Sequence, residues 1–273
     1  MYKVVDSNST NSPALLSFLS HSQDNRVILP QYLAIEAYKR GSLIQVSKAL
    51  ETLLQFAPQV LILRSTFEIY RMFPDRKGIR KRFIDKPQSK SFVDFGMAVE
   101  RAVAGDRFYV SQLEEMFLKA EVEIEKQDQL AKEMSEQFNV LLNVFTKDEL
   151  KSIRSRSSMK RSAIEKIMEL TIDTAELAVG QVREFRRGLT FQQLVWTYGF
   201  RRALCATIWL VDKISDGVTE ISNLEKLRND MIDLEFVTPA TFYDGLISSD
   251  KTANRVYNMT VQVLEVMTKR RRG

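Results

Sequence analysis

The sequence predicts an α/β architecture: a parallel sheet flanked by helices and interrupted by a large all-α insertion. Three observations carry this reading. Short apolar runs at Tyr2–Val5, Arg26–Leu29 and Val60–Leu63 alternate with amphipathic stretches, as strand–helix–strand units of a parallel sheet do. No proline lies between Pro87 and Pro239 and no glycine between Gly105 and Gly180, so the middle of the chain lacks helix breakers. The strand and helix pattern then returns near the C-terminus.

Along the chain, the first run ends in Asp6 and polar turn residues, which places a carboxylate at the carboxyl end of a buried strand, where open α/β sheets hold their ligand sites. Ser9 to Ser12 with Pro13 read as the start of a helix carrying Leu15, Leu16, Phe18 and Leu19, and Ser20 to Asn25 as a polar turn. After the second strand, Pro30 begins a helix to Arg40 with Tyr32 and Ile35 facing inward and Glu36 in its second turn. Residues 42–56 read as a further helix before the third strand.

Residues 71–90 are crowded with cations, among them Arg76, Lys77, Arg80, Lys81 and Arg82, with Phe73 and Phe83 between them. Two readings stay open for this basic loop: a solvated connector, or a flap that grips phosphates. Beyond it, Leu113, Phe117, Ala120, Ile124, Ala131, Met134, Phe138, Leu141 and Phe145 recur at three/four spacing, interrupted by Gln127. That spacing predicts one helix of about 30 residues or more, well beyond the usual length. Such a helix needs cover along its whole apolar stripe, which makes the block a candidate homodimer surface or docking site for a protein. Residues 151–161 read as a basic break, and 163–179 and 189–211 as further helices. The resulting division is 1–91 and 221–273 for the α/β part and 92–220 for the helical insertion. In the closing part, 223–236 reads as a helix, 245–249 as a strand ending at Asp250, and 252–267 as a last helix before a basic tail, Lys269 to Arg272.

Composition narrows the function. Apolar residues make up 44% and charged residues 27%, which is ordinary for a globular domain, and the formal charge of +5 permits a polyanionic partner without demanding one. One cysteine, Cys205, in an apolar run excludes an intrachain disulfide and reads as a core residue in a reducing, cytoplasmic setting. A strand beginning at residue 2 leaves no room for a signal peptide, and no apolar run is long enough to span a membrane. The single histidine, His21, excludes paired-histidine ribonuclease chemistry and reads as a solvated turn residue, so any catalysis falls to carboxylates and metal.

Asp6, Glu36, Asp230, Asp233 and Asp250 are the acids that parallel strand ends would gather in one cleft, Asp230 and Asp233 lying one helical turn apart. Such a cluster repels itself unless cations neutralise it, and oxygen-only ligands favour Mg²⁺ or Mn²⁺. Two such ions can activate water and stabilise the leaving oxygen of a phosphodiester. Aromatic residues near arginines, Phe185 with Arg183, Arg186 and Arg187, and Trp196 to Arg202, could stack single-stranded nucleic acid, although helix-core residues beside surface arginines would look the same.

On these residues the chain resembles the PIN-domain family of metal-dependent nucleases. Val5-Asp6-Ser7-Asn8 is similar to the family's first motif, with Ser7 and Asn8 supporting the first acid. Ile28-Leu29-Pro30 through Ile35-Glu36 is similar to the second. Asn229-Asp230-Met231-Ile232-Asp233 and Leu246-Ile247-Ser248-Ser249-Asp250 are similar to the closing pair. The resemblance spans about residues 1–70 and 222–268, and the long helical block departs from it. It implies a Mg²⁺- or Mn²⁺-dependent endonuclease, most commonly acting on RNA and often of toxin or antiviral defence type. Asp6, Glu36, Asp250 and Asp230 would then be catalytic, with Asp230 expected to hold metal directly and Asp233 beside it. A PIN-like scaffold whose helical block binds a partner, with weak or no catalysis, is the alternative.

Overall fold

The computed structural model describes residues 1–39, 41–155, 159–185 and 188–269. Strand β1 (Tyr2–Val5) leads through a one-turn 3-10 helix to α1 (Pro13–His21), which Ser12 caps by accepting from the Leu15 N–H. Then come β2 (Arg26–Leu29), α2 (Gln31–Tyr38), α3 (Leu43–Gln55), β3 (Val60–Leu63) and α4 (Thr66–Tyr70). The basic stretch folds as α5 (Ile79–Arg82), β4 (Ile84–Asp85) and α6 (Lys86–Lys90). The helical run comprises α7 (Phe92–Val103), α8 (Arg107–Leu142), α9 (Lys147–Ser155), α10 (Arg161–Gly180), α11 (Phe191–Val195) and α12 (Tyr198–Ser215). The chain closes with α13 (Leu224–Ala240), β5 (Leu246–Ile247) and α14 (Lys251–Lys269).

Among the described residues the sheet has five strands in the order β4-β3-β2-β1-β5, all parallel except β4. From β1 the chain steps outward through β2 and β3, and it returns at the end to the other side of β1. β1 is therefore the strand at which the order reverses, and its carboxyl end is the crevice where such sheets bind ligands. Val4, Val5, Val27 and Ile28 are fully buried, as strands covered on both faces require, and both edge strands are only two residues long.

The three early strands and the single long helix agree with the sequence expectation, α8 running for 36 residues. Elsewhere the boundaries differ for physical reasons. The basic stretch expected as a loop contains a strand, because Ile84 and Asp85 add to β3 across Leu63 and Ile62. Phe83 beside them is 1% exposed, its ring 4.9 Å from that of Phe242. The basic break expected at 151–161 is helical through Ser155, and residues 156–158 lie outside the described set. Residues 189–211 are not one helix: α11 ends at Val195, and Thr197 caps α12 by accepting from the Phe200 N–H. His21 is the exposed last residue of α1 rather than part of a turn. Arg40 and Arg270 to Arg272 lie outside the described residues.

The helical run is woven into the α/β part. Phe92, Val99 and Ala102 of α7, Leu113, Phe117 and Ala120 of α8, and Tyr198 of α12 belong to the apolar cluster around the sheet. Farther along α8, Ala131 and Phe138 join a second cluster with α12 and with Leu227, Met231, Leu234 and Val237 of α13. Gln127, the interruption in the stripe, is buried between the two and donates to the Tyr32 hydroxyl. The chain thus covers most of its own stripe; Leu118, Val122, Leu130 and Val140 face solvent. Cys205 is fully buried. Among the described residues no helix is long and apolar enough to cross a membrane.

Because Phe83 is a core residue inside the basic stretch, Phe83→Ala is expected to lower stability by about 3–5 kcal/mol. The denaturant midpoint checks this; a change under about 1 kcal/mol would mean that the stretch is not anchored.

Candidate active site

Asp6 follows β1 with its N–H still in the ladder, bonded to the Ile247 carbonyl at 3.0 Å. Its side chain is drawn into the sheet end, and the residue is 2% exposed. The Ser248 hydroxyl donates to Asp6 Oδ2 at 2.8 Å, and Ser248 Oγ in turn accepts the Asp250 N–H at 3.0 Å. Ser9 Oγ accepts the Ser249 N–H at 3.1 Å, so the turns after β1 and β5 are laced together. Burial raises the Asp6 pKa; the Ser248, Asn8 and Ser7 hydrogen bonds work against that rise, and the charge of Glu36 adds to it.

Glu36 reaches this point from the second turn of α2. It accepts the Ser7 hydroxyl, which also lies 3.3 Å from Asp6 Oδ1, and it pairs with Lys39 at 2.5 Å. A pocket of about 210 Å³ opens beside the pair, lined by Ser7, Asn8, Glu36, Lys39 and Gln45. Asp250 caps α14, its Oδ1 accepting the Ala253 N–H at 2.7 Å, so a helix N-terminus supports its charge.

Asp230 and Asp233 share a face of α13 but not a setting. Asp230 is paired with Lys213 of α12 at 2.5 Å, both side chains 12% exposed. Asp233 is pushed up to about 8, first by burial and then by the charges of Asp6, Asp250, Asp230 and Glu36. The four other acids expected from the sequence therefore all act on Asp233. Among the described residues, no three His, Cys, Asp or Glu side chains are disposed to hold a metal ion as they stand.

Sequence reasoning misses the neutralising groups. Lys39 stands three residues after Glu36 and is open to a helix-spacing argument. Lys213, and Arg255 paired with Asp212 at 2.8 Å and Asp216 at 3.5 Å, come from other elements, and no local pattern marks them.

The five cations expected to hold nucleic acid are all exposed, and their contacts differ. Arg80 pairs with Asp244 at 2.9 Å, and Asp244 also accepts the Tyr2 N–H, at the opposite end of β1 from Asp6. Arg82 donates to the Phe73, Asp75 and Lys77 carbonyls and shapes its own turn. The Arg76 guanidinium lies over the Trp196 ring at 5.4 Å. Lys77 and Lys81 point to solvent. Phe185 and Phe200 are buried core residues, and Trp196 is half-buried; Arg186 and Arg187 lie outside the described residues.

Compared with known protein families, curated proteins and solved structures, the chain matches none.

The raised Asp233 pKa gives a signed expectation for the metal-free protein. Between about pH 4 and pH 8 the folded chain keeps a proton that the unfolded chain releases, so stability falls as pH rises through that window. A tenfold difference in proton affinity between the two states is worth about 1.4 kcal/mol, which puts the loss on the order of a few kcal/mol. Asp233→Asn should flatten the dependence. Urea midpoints in EDTA across the window measure it, and a flat wild-type profile would contradict the clustered field.

Proposed function

We propose that this chain is a divalent-metal-dependent endonuclease of PIN-like type acting on RNA. The observation that carries the reading is the convergence of five carboxylates from α2, α13 and the turns after β1 and β5 on the crevice at β1. Burial first, and then the charges of the other four acids, push Asp233 up to about 8, and a site of such concentrated negative charge favours a strongly charged cation. The donor set is all oxygen and suits Mg²⁺ or Mn²⁺ better than softer metals.

Asp6, Glu36, Asp233 and Asp250 would hold the metal. Asp233 takes the inner place expected of Asp230, because Asp230 already has Lys213 as its counterion, whereas the charges acting on Asp233 are those of the other acids. The bound ion would supply Lewis acidity and a more acidic water for phosphodiester hydrolysis. The chain's own residues do the rest. Ser248 holds the buried Asp6 carboxylate against the ladder, Ser7 orients Glu36, and Lys39 and Lys213 put positive charge at two sides of the cluster, where a phosphate would approach.

The scaffold reading has one observation in its favour, the lack of a ready three-ligand grouping among the described side chains. One experiment separates the two. Single-stranded RNA incubated with the full chain should be cut in Mn²⁺ or Mg²⁺ and spared in EDTA. Ser248→Ala should slow cutting about 10- to 100-fold, as the loss of a ligand-orienting hydrogen bond does, and Asp6→Asn should slow it further with the fold intact. No cutting by the wild type in either metal, with no Mn²⁺ binding by calorimetry, would leave the scaffold.

A further inference from the structure

A second concave site lies away from the acids. It is a cleft of about 520 Å³ built from three separate segments: Phe73 and Arg76 of the basic stretch, Phe191, Gln192 and Trp196 around α11, and Thr268 at the end of α14. Phe73 is 52% and Phe191 36% exposed, a large aromatic surface to leave in water. Arg76 presents a planar cation to the cleft from its place over Trp196, whose ring Arg201 also faces at 4.5 Å. Among the described residues one acid lines it, Asp75, which lies 3.8 Å from Arg82 and accepts the Lys77 N–H. Aromatic faces, a flat cation and side-chain amides at this size are the chemistry that stacks and edges an unpaired nucleobase.

The cleft is tied to the acid cluster by one element. Asp250 caps the start of α14, and Met267 and Thr268 at its far end line the cleft. At about 1.5 Å per residue the two sites are roughly 25 Å apart. Along the way the exposed residues Lys251, Arg255, Asn258 and Gln262 follow one face at four- and three-residue steps, and Glu265 is the only acid on the helix. Backbone phosphates would meet Lys251, Asn258 and Gln262 along that length, Arg255 being already shared with Asp212 and Asp216. The distance corresponds to roughly seven nucleotides at the stacked spacing of about 3.4 Å, and to fewer when the strand is extended.

We propose that the cleft is a second nucleic-acid site, in which an unpaired base of a single-stranded substrate stacks on Phe73 and the Arg76–Trp196 pair while its backbone follows α14 toward the acid cluster. The direction toward a cleaving site rests on the nuclease reading; the binding of the base does not.

The test is binding of single-stranded oligoriboadenylates carrying 2-aminopurine to the full chain in EDTA, read by anisotropy and by aminopurine quenching. Phe73→Ala and Arg76→Ala alter exposed side chains, and each should weaken binding about tenfold or more and relieve the quenching. Phe73→Ala should leave the salt slope unchanged, whereas Arg76→Ala lowers it by about one phosphate contact if the guanidinium also meets the backbone. An abasic residue at the quenched position should weaken wild-type binding as the variants do. Quenching that survives both substitutions, or an abasic strand that binds as tightly as the intact one, overturns the proposal. A chain that cuts no RNA in any metal yet shows the Phe73- and Arg76-dependent quenching loses the nuclease reading and keeps this one.

Discussion

The constraint on which the rest depends is a carboxylate buried at the end of a parallel strand. Asp6 is almost without solvent, and an ion so placed is costly unless its oxygens are bonded and its charge is answered. The chain supplies the bonds locally, through Ser248 and the turn after β1. It does not supply the answering charge there. Instead it brings further acids into the same field and leaves Asp233 holding a proton well above the usual carboxylate range. Cations stand one layer out, as Lys39, Lys213 and Arg255. The centre thus has its negative charge inside and its positive charge at the rim.

That arrangement explains why the helical run is not an appendage. Lys213 is its direct contribution to the acid cluster, and Asp212 and Asp216 beside it hold Arg255 of α14. α12 also carries the Arg202–Glu235 pair that joins it to α13 behind the acids, at 3.0 Å and nearly buried. The position of α13, and with it of Asp230 and Asp233, is therefore set from the helical side as much as by β1.

Much of the fold and of the acid cluster is legible in the sequence because both are written in local pattern. The first three strands are short apolar runs with turn residues after them, and an acid at such a run's end needs only the parallel topology to find its neighbours. What is not legible depends on contacts between distant segments. β4 is two residues in a run of cations, and only its pairing with β3 makes it a strand. The interruption between α11 and α12 has no glycine or proline; a threonine cap makes it. Asp230 and Asp233 look alike in sequence, and the difference between them is Lys213, brought back from the preceding helix by the turn of the chain. The basic stretch invites a single role, yet its arginines divide among a turn, an ion pair and an aromatic face.

Gln127 marks a further consequence of α8. The helix is about 54 Å long at about 1.5 Å per residue, with its first half in one apolar cluster and its second half in the other. An isolated helix with so mixed a surface has little stability in water. Each cluster thus keeps its own half of the helix ordered, and the Gln127–Tyr32 bond sits at the seam. Melting either cluster strips cover from half of this helix, so the sheet and the helical run are coupled through one shared element.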